Sequence, residues 1–491
     1  MSEVEISPVS PWRDFQAAFW NAMKLSASLI ATWTVALGVR FVLPRWLGPE
    51  EYGVYSFAGA FAASFFVLAA LGMETYVQKE VPTRPEHASD FIGGILVLRL
   101  CIGLALFAAM AVILRLGGRP VEVREVVYLF AAGQLLLVCN ATFSALLHAR
   151  GTVDGLSVTN VAGKLLWGAG TVAGLVTHSG LIALAAAFAG AELFKACVLF
   201  ALCRKHLSLD LRLRVDATRR AILASLPFFV TTLATSLFTR IDDTLLGFLA
   251  NDREVGWFGL SSNVAQVAEL LAPLMGAVLL PLFSRVAARS RDELTHVMRR
   301  SLEIILLFAA SISVALGLGA DVWISILGGE AYAPAVPSLR LLAPVFVLTY
   351  VGMVCADYLY LLGRSWTVTA ICLGGLAVNA ILNATLIRPM LEMLGPGGAG
   401  VGSAFATCAT EAFTCAMFVI VIGRKLLDAR LAGALLKLGL ASLATFAVDR
   451  AFLHLGPARL LLDAVTYCAI VAASGAVRID EIRAFLSQAR Q

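Results

Sequence analysis

One apolar run follows another through almost the whole chain, and that repetition decides what it can become. The runs fall at about 18–43, 52–73, 91–114, 125–148, 155–177, 180–203, 221–249, 255–283, 302–320, 339–362, 366–388, 399–423, 431–449 and 459–477. A run of about 20 residues crosses a ~30 Å hydrocarbon core as a helix. Backbone N–H and C=O groups find no water in lipid, so these runs are expected to be helices and not strands. The expectation is an all-α polytopic membrane protein with about 14 transmembrane helices. Composition agrees: 59% of the 491 residues are hydrophobic and 14% charged. Soluble domains hold about 45–50% and about 25%. A soluble enzyme, a disordered chain, a coiled coil and a disulfide scaffold are thereby excluded. No connection exceeds about 20 residues, so no sizeable extramembrane domain is expected.

The nine cysteines lie mostly inside apolar runs and form no CxxC pair. They read as free thiols in lipid, with no metal and no cofactor implied. Glu3, Glu5, Arg13 and Asp14 precede the first run. This is unlike a cleavable leader, so the first span is expected to remain. Lys and Arg set the orientation. With the N-terminus inside, the basic residues of 204–220, 285–300, 424–430 and 478–490 are cytoplasmic, as are Lys79 and Arg84. The tally is about 22 inside against about 9 outside, and both termini are cytoplasmic.

The two halves resemble each other. Leu47-Gly48-Pro49-Glu50-Glu51-Tyr52-Gly53 follows the first span, and Leu249-Ala250-Asn251-Asp252-Arg253-Glu254-Val255-Gly256 follows the seventh. Gly53 and Gly256 align at a shift of about 203 residues. Leu146-Leu147-His148-Ala149-Arg150 is echoed by Leu361-Leu362-Gly363-Arg364. Matching sidedness implies a parallel repeat: two pseudo-symmetric six-helix lobes around a central cavity, plus two C-terminal helices. The expected divisions are an N-terminal lobe at 1–203, a basic cytoplasmic loop at 204–220, a C-terminal lobe at 221–425, and two extra spans with a cytoplasmic tail at 426–491.

An ionisable group at bilayer depth costs about 2.5–3.5 kcal/mol on insertion scales, so such groups mark cavities or partners. Lys24 and Arg40 stand in span 1, Lys164 in span 5, and Arg240 with Asp242 and Asp243 in span 7. Snorkelling explains Lys24 and Arg40 equally well. Asp242 and Asp243 point about 100° apart on a helix and are not expected to share one role. Asn263, Gln266 and Glu269 make a polar stripe on span 8. Glu192 and Lys195 read as an intrahelical ion pair, while Asp357 and Glu411 are isolated acids. Lys24, Arg40, Lys164, Arg240, Asn263 and Gln266 are the substrate-binding candidates. Asp242, Asp243, Glu269, Asp357 and Glu411 are the ion-coupling candidates. Catalytic signatures such as HExxH, GxSxG or a phosphate loop are missing, so the chain does not read as an enzyme.

One set of motifs resembles a known family. It comprises Arg45-Trp46-Leu47-Gly48-Pro49-Glu50-Glu51-Tyr52-Gly53-Val54-Tyr55, Leu71-Gly72-Met73, Arg240-Ile241-Asp242, Val255-Gly256-Trp257-Phe258 and Leu280-Pro281-Leu282-Phe283-Ser284. Gly328-Gly329-Glu330-Ala331-Tyr332, Leu339-Arg340-Leu341-Leu342-Ala343-Pro344 and Gly363-Arg364 continue it. In order and spacing these are similar to bacterial polysaccharide-unit flippases (Wzx type) of the multidrug/oligosaccharidyl-lipid/polysaccharide exporter superfamily. Trp257-Phe258 departs from the tyrosine usual after that glycine. The resemblance implies alternating access that carries undecaprenyl-diphosphate-linked oligosaccharide from the inner to the outer leaflet of the bacterial cytoplasmic (inner) membrane. It implies coupling to an H+ or Na+ gradient or to membrane potential. Partners would be the lipid-linked glycan, the bilayer, and a polysaccharide polymerase with export machinery, for O-antigen or exopolysaccharide; no nucleic acid is implied, and the chain would act as a monomer. A lipid II flippase or a multidrug/cation antiporter of the same superfamily is one alternative. A membrane glycan polymerase or ligase, or an assembly scaffold, is another.

Overall fold

The computed structural model describes residues 11–82, 88–207, 212–238, 240–269, 279, 283–287, 289–423 and 429–475. Every regular element among them is helical. Helix stands at every apolar run picked from the sequence, as far as those residues are described. Eight described helices are singly long and apolar enough to cross a membrane, or nine if the bent pair Glu330–Leu342 and Val345–Leu361 is one span. Other runs fall short singly because the helix is interrupted or diluted. Val215–Phe238 gives way to Ile241–Leu249, and Asp252–Glu269 carries a polar stripe.

Two compact units divide the chain: Met1–Trp46 with Ala58–Ser236, and Leu47–Phe57 with Leu237–Gln491. The helix after the basic loop joins the first unit, because Ala217 and Ala221 pack into that unit's core and Ser225 Oγ donates to the Leu71 carbonyl at 2.7 Å. The short segment around Gly53 joins the second unit, against the residues that repeat it.

The first unit holds α1 (Pro11–Phe66) apart from Leu47–Phe57, α2 (Met73–Glu80), α3 (Ala88–Leu116), α4 (Val121–Ala149), α5 (Val153–Val176), α6 (Gly180–Leu207) and most of α7 (Val215–Phe238). Helix α1 covers two expected spans and breaks at Gly48, with φ 72 and ψ 173, a conformation that a Cβ would strain. The second of those spans breaks again. A 3-10 turn covers Val67–Ala69, and Leu71 and Gly72 take φ 56 and φ 64. Such a break frees carbonyls in a setting where each orphan costs several kcal/mol. Arg99 of α3, buried to 1% exposure, collects them. Its guanidinium donates to Ala69 O at 3.0 Å, Ala70 O at 2.9 Å, Val138 O at 2.9 Å and Thr142 Oγ1 at 2.7 Å. Around it Met73, Phe91, Ile92, Leu146 and Leu199 form a closed apolar core.

The second unit holds α8 (Ile241–Leu249), α9 (Asp252–Glu269), α10 (Arg291–Leu318), α11 (Ala320–Gly328), α12 (Val336–Leu342), α13 (Val345–Leu361), α14 (Ser365–Leu394), α15 (Gly398–Ile422), α16 (Ala429–Ala451) and α17 (Arg459–Ala473). Helices α14 and α15 pack closely because Gly402 lies on the Leu386 backbone, where a Cβ would stand 2.9 Å from the carbonyl oxygen. Glu254 of α9, 1% exposed, caps α15: it accepts from the N–H groups of Gly397 at 2.7 Å, Ala399 at 3.1 Å and Gly400 at 3.4 Å. A carboxylate at a helix N-terminus meets both the free donors and the positive end of the dipole. The last two helices are tied to the body by Arg459. Its Nε donates to Asp449 at 2.7 Å, and its Nη2 reaches both Asp321 oxygens at 2.6 and 2.7 Å.

Candidate functional site

Among the described residues, each unit gathers several of the candidate polar groups within its helices. In the first, α1 and α5 run side by side, with Val35 and Val39 against Gly168. Lys164 projects from α5, half-buried, with its ammonium 3.8 Å from the centre of the Trp167 ring. Arg40 of α1 and Lys195 of α6 lie near enough for their charges to act on it. Lys195 donates to both Glu192 oxygens at 3.1 and 3.2 Å. Asn140 of α4 donates to Glu192 Oε2 at 2.8 Å and to the Glu192 carbonyl at 2.9 Å. The pair read from sequence as intrahelical is thus part of a larger array with three cations and one carboxylate. The Trp167 indole N–H and the Asn140 side-chain oxygen are buried without partners among the described residues. Such an array can hold an anionic, hydrogen-bonding group, with an aromatic face beside it.

In the second unit, the break after Phe238 places Asp242 and Asp243 in the first turn of α8. Asp242 Oδ1 accepts from Asn383 Nδ2 at 2.8 Å, and Oδ2 accepts from Thr407 Oγ1 at 2.7 Å. Ser403 donates to Asn383 Oδ1 at 2.8 Å, and Asn383 also donates to Asn379 Oδ1 at 3.0 Å. Helices α8, α14 and α15 therefore bring one carboxylate together with amide and hydroxyl oxygens, a donor set suited to a proton or a hard cation. Asp243 turns elsewhere, and its Oδ1 is buried without a partner among the described residues. Arg240 is exposed and close enough for its charge to act on Asp243.

The remaining candidates are dispersed. Lys24 pairs with Asp154 at 2.7 Å, both largely exposed. It stands 16 residues before Arg40, about 24 Å along the helix, and so lies outside the basic cluster. Asn263 donates to the Tyr52 hydroxyl, and Gln266 donates to Ser262 Oγ at 3.2 Å. The Glu269 side chain lies outside the described residues. Asp357 is half-buried on α13, and Glu411 on α15 sits near Cys372, Cys408 and Cys415. Sequence reasoning missed Asn140, Asn379, Asn383, Ser403 and Thr407, which are polar but uncharged and therefore weak in a hydropathy reading. The recurrence of Asn379 and Asn383 one helical turn apart was the available signal. No group of three or more His, Cys, Asp and Glu able to hold a metal occurs among the described residues.

These helices and their two polar clusters define a multi-pass membrane protein with the fold of a transporter. A structure named lipid II flippase MurJ, in an inward closed conformation, superposes with a TM-score of 0.71 at 13% identity, over 92% of this chain and 98% of that one. An inward-facing multidrug resistance MATE family transporter of the MOP superfamily gives 0.63 at 16% identity, over 82% and 98%. A MOP superfamily transporter from Pyrococcus furiosus gives 0.54 at 15% identity, over 83% and 96%. The chain thus shares the MOP superfamily fold. A family model described as polysaccharide biosynthesis protein matches residues 20–287, and the chain belongs to that family. No curated protein matches it.

Proposed function

We propose that this protein is a flippase that moves an undecaprenyl-diphosphate-linked oligosaccharide from the inner to the outer leaflet of the bacterial cytoplasmic membrane by alternating access. The observation that carries this reading is the gathering of Arg40, Lys164 and Lys195 in the first unit, with Arg40 and Lys195 on helices long and apolar enough to cross a membrane and Lys195 packed against Gly163 beside Lys164. Cations at that depth are costly, and a bound anion offsets the cost. A diphosphate does so through charge-assisted hydrogen bonds. Membership in a polysaccharide biosynthesis family supports a glycan cargo over a small cation. The polyprenyl tail stays in lipid throughout, so only the polar head needs a protein path. On this reading both termini are cytoplasmic, the polymerase and export machinery receive the cargo outside, and the chain acts as a monomer that flips and does not catalyse.

The Asp242 cluster is the proposed ion-coupling site, taking H+ or Na+ in exchange for the head's passage. The test is translocation in reconstituted vesicles holding a defined lipid-linked oligosaccharide. Lys164→Gln with Arg40→Gln is expected to lower the rate by about 100-fold, as the loss of two charge-assisted contacts predicts. Asp242→Asn is expected to abolish the dependence on an imposed cation gradient while leaving gradient-free exchange. Transport of cationic drugs with no glycan movement would overturn the glycan reading in favour of an antiporter.

A further inference from the structure

The second unit carries a crevice of about 590 Å³ that neither polar cluster uses. Its walls are α10 from Leu306 to Leu318, α12 and α13 from Arg340 to Leu348, and α16 from Leu435 to Arg450. Most of the lining is Leu, Val, Ala, Gly and Phe, so water would find few partners there. Along α10 the crevice runs 12 residues, about 18 Å, slightly more than the ~15 Å depth of one leaflet's hydrocarbon. Its lining is apolar along that length and carries its charged groups at one end, which suits an acyl chain with a charged head. The C-terminal ends of α10 and α16 mark its polar end, where Arg340 and Arg450 line the crevice.

Of those two arginines, Arg340 makes only a long ion pair with a neighbouring acid. Asp321 is held at 2.6 and 2.7 Å by Arg459, leaving Arg340 at 3.8 Å from it. Asp449, the acid of the lining, accepts from Arg459 at 2.7 Å. Arg450 lies over the Phe446 ring at 5.0 Å. A slender apolar channel one leaflet deep with two guanidinium groups at one end matches an amphiphile with a single anionic head.

We propose that this crevice binds an anionic phospholipid, with one acyl chain lying along α10 and α16 and the phosphate between Arg340 and Arg450. The site goes beyond translocation and involves none of the groups assigned to it. Helix α16 acquires a purpose in this arrangement, since it supplies one wall and one of the two arginines.

The test is native mass spectrometry of the full-length protein released from bilayer discs containing equal phosphatidylglycerol and phosphatidylcholine. The wild type is expected to retain phosphatidylglycerol. Arg340→Gln with Arg450→Gln is expected to lower that retention by about tenfold. Gly439→Leu serves as a variant that keeps the fold, since a Cβ at Gly439 meets nothing within 4 Å and points into open space of the crevice. It is expected to lower retention as well, whereas Gly433→Leu, also in open space but outside the lining, is expected to leave it unchanged. Equal retention of the two lipids by the wild type would overturn the proposal. So would undiminished retention in Gly439→Leu, or displacement of phosphatidylglycerol by a stoichiometric amount of undecaprenyl phosphate. Translocation is not read in this experiment, so its result is separate from that of the flippase assay.

Discussion

At the residue scale, the groups that matter most for stability are those that answer for broken helices. Glu254 satisfies three N–H groups at the start of α15 while almost wholly buried. Replacing it by Ala leaves those donors without partners, and a hydrogen bond to a charged group is worth about 1.5–3 kcal/mol. Glu254→Ala is therefore expected to destabilise by about 3 kcal/mol, and Glu254→Gln, which keeps an acceptor, by about half as much. Thermal unfolding in detergent checks both. Asp321 gives a pH dependence. Burial works to raise its pKa, but hydrogen bonds and charge from Arg459, aided by Arg340, outweigh that and hold the carboxyl below the usual range. A depressed folded-state pKa contributes stability above the unfolded value and loses it as pH falls through the folded one. Unfolding temperature is expected to drop in acid for the wild type, and the drop is expected to be smaller in Asp321→Asn. Neither role was legible beforehand. Glu254 reads as a loop acid, and Arg99 as one cation in a long apolar run. Their partners are backbone atoms, the carbonyls of Ala69 and Ala70 beside the Leu71-Gly72 break and the N–H groups of Gly397, Ala399 and Gly400 at a helix start, and hydropathy does not register them.

At the scale of elements, the repeat has a physical consequence. A Cβ on Gly53 would run into the Asp252 carbonyl, and a Cβ on Gly256 into the Pro49 carbonyl. The same shift that aligns the glycines aligns Pro49 with Asp252 and Glu50 with Arg253, so the contact is reciprocal, as in a two-fold crossing. Glu50 and Arg253 pair across it at 3.0 Å, 64% and 65% exposed. An exposed pair of this kind is worth about 0–1 kcal/mol. Backbone against backbone cannot give way without parting the helices, and overpacking costs about 1–3 kcal/mol or more. Gly53→Ala and Gly256→Ala are therefore each expected to destabilise by about 2 kcal/mol or more, and Glu50→Ala by less than about 1. Thermal unfolding of the three variants, measured side by side, checks the order. Here the sequence was informative, because the spacing of two glycines is visible without knowing what they touch. What remained hidden was that the aligned segments meet.

At the scale of the whole molecule, one argument bears on the proposed orientation and another on the parity of crossings. Lys and Arg gather in alternate loops, from which residues 204–220 are expected in the cytoplasm. The repeat demands that Glu50 and Arg253 lie on one side of the membrane, since their side chains touch. Touching requires an even number of crossings between them, which six spans supply. Arg220 stands in the basic loop region between them and is exposed. In a background with the native cysteines replaced, Glu50→Cys and Arg253→Cys are expected to react with a membrane-impermeant maleimide added outside intact cells. Arg220→Cys is expected to react only once the membrane is opened. Labelling of Arg220→Cys from outside would invert the topology while preserving the fold. Labelling of Glu50→Cys and Arg253→Cys from opposite sides would break the repeat itself, and with it the parallel arrangement of the two halves.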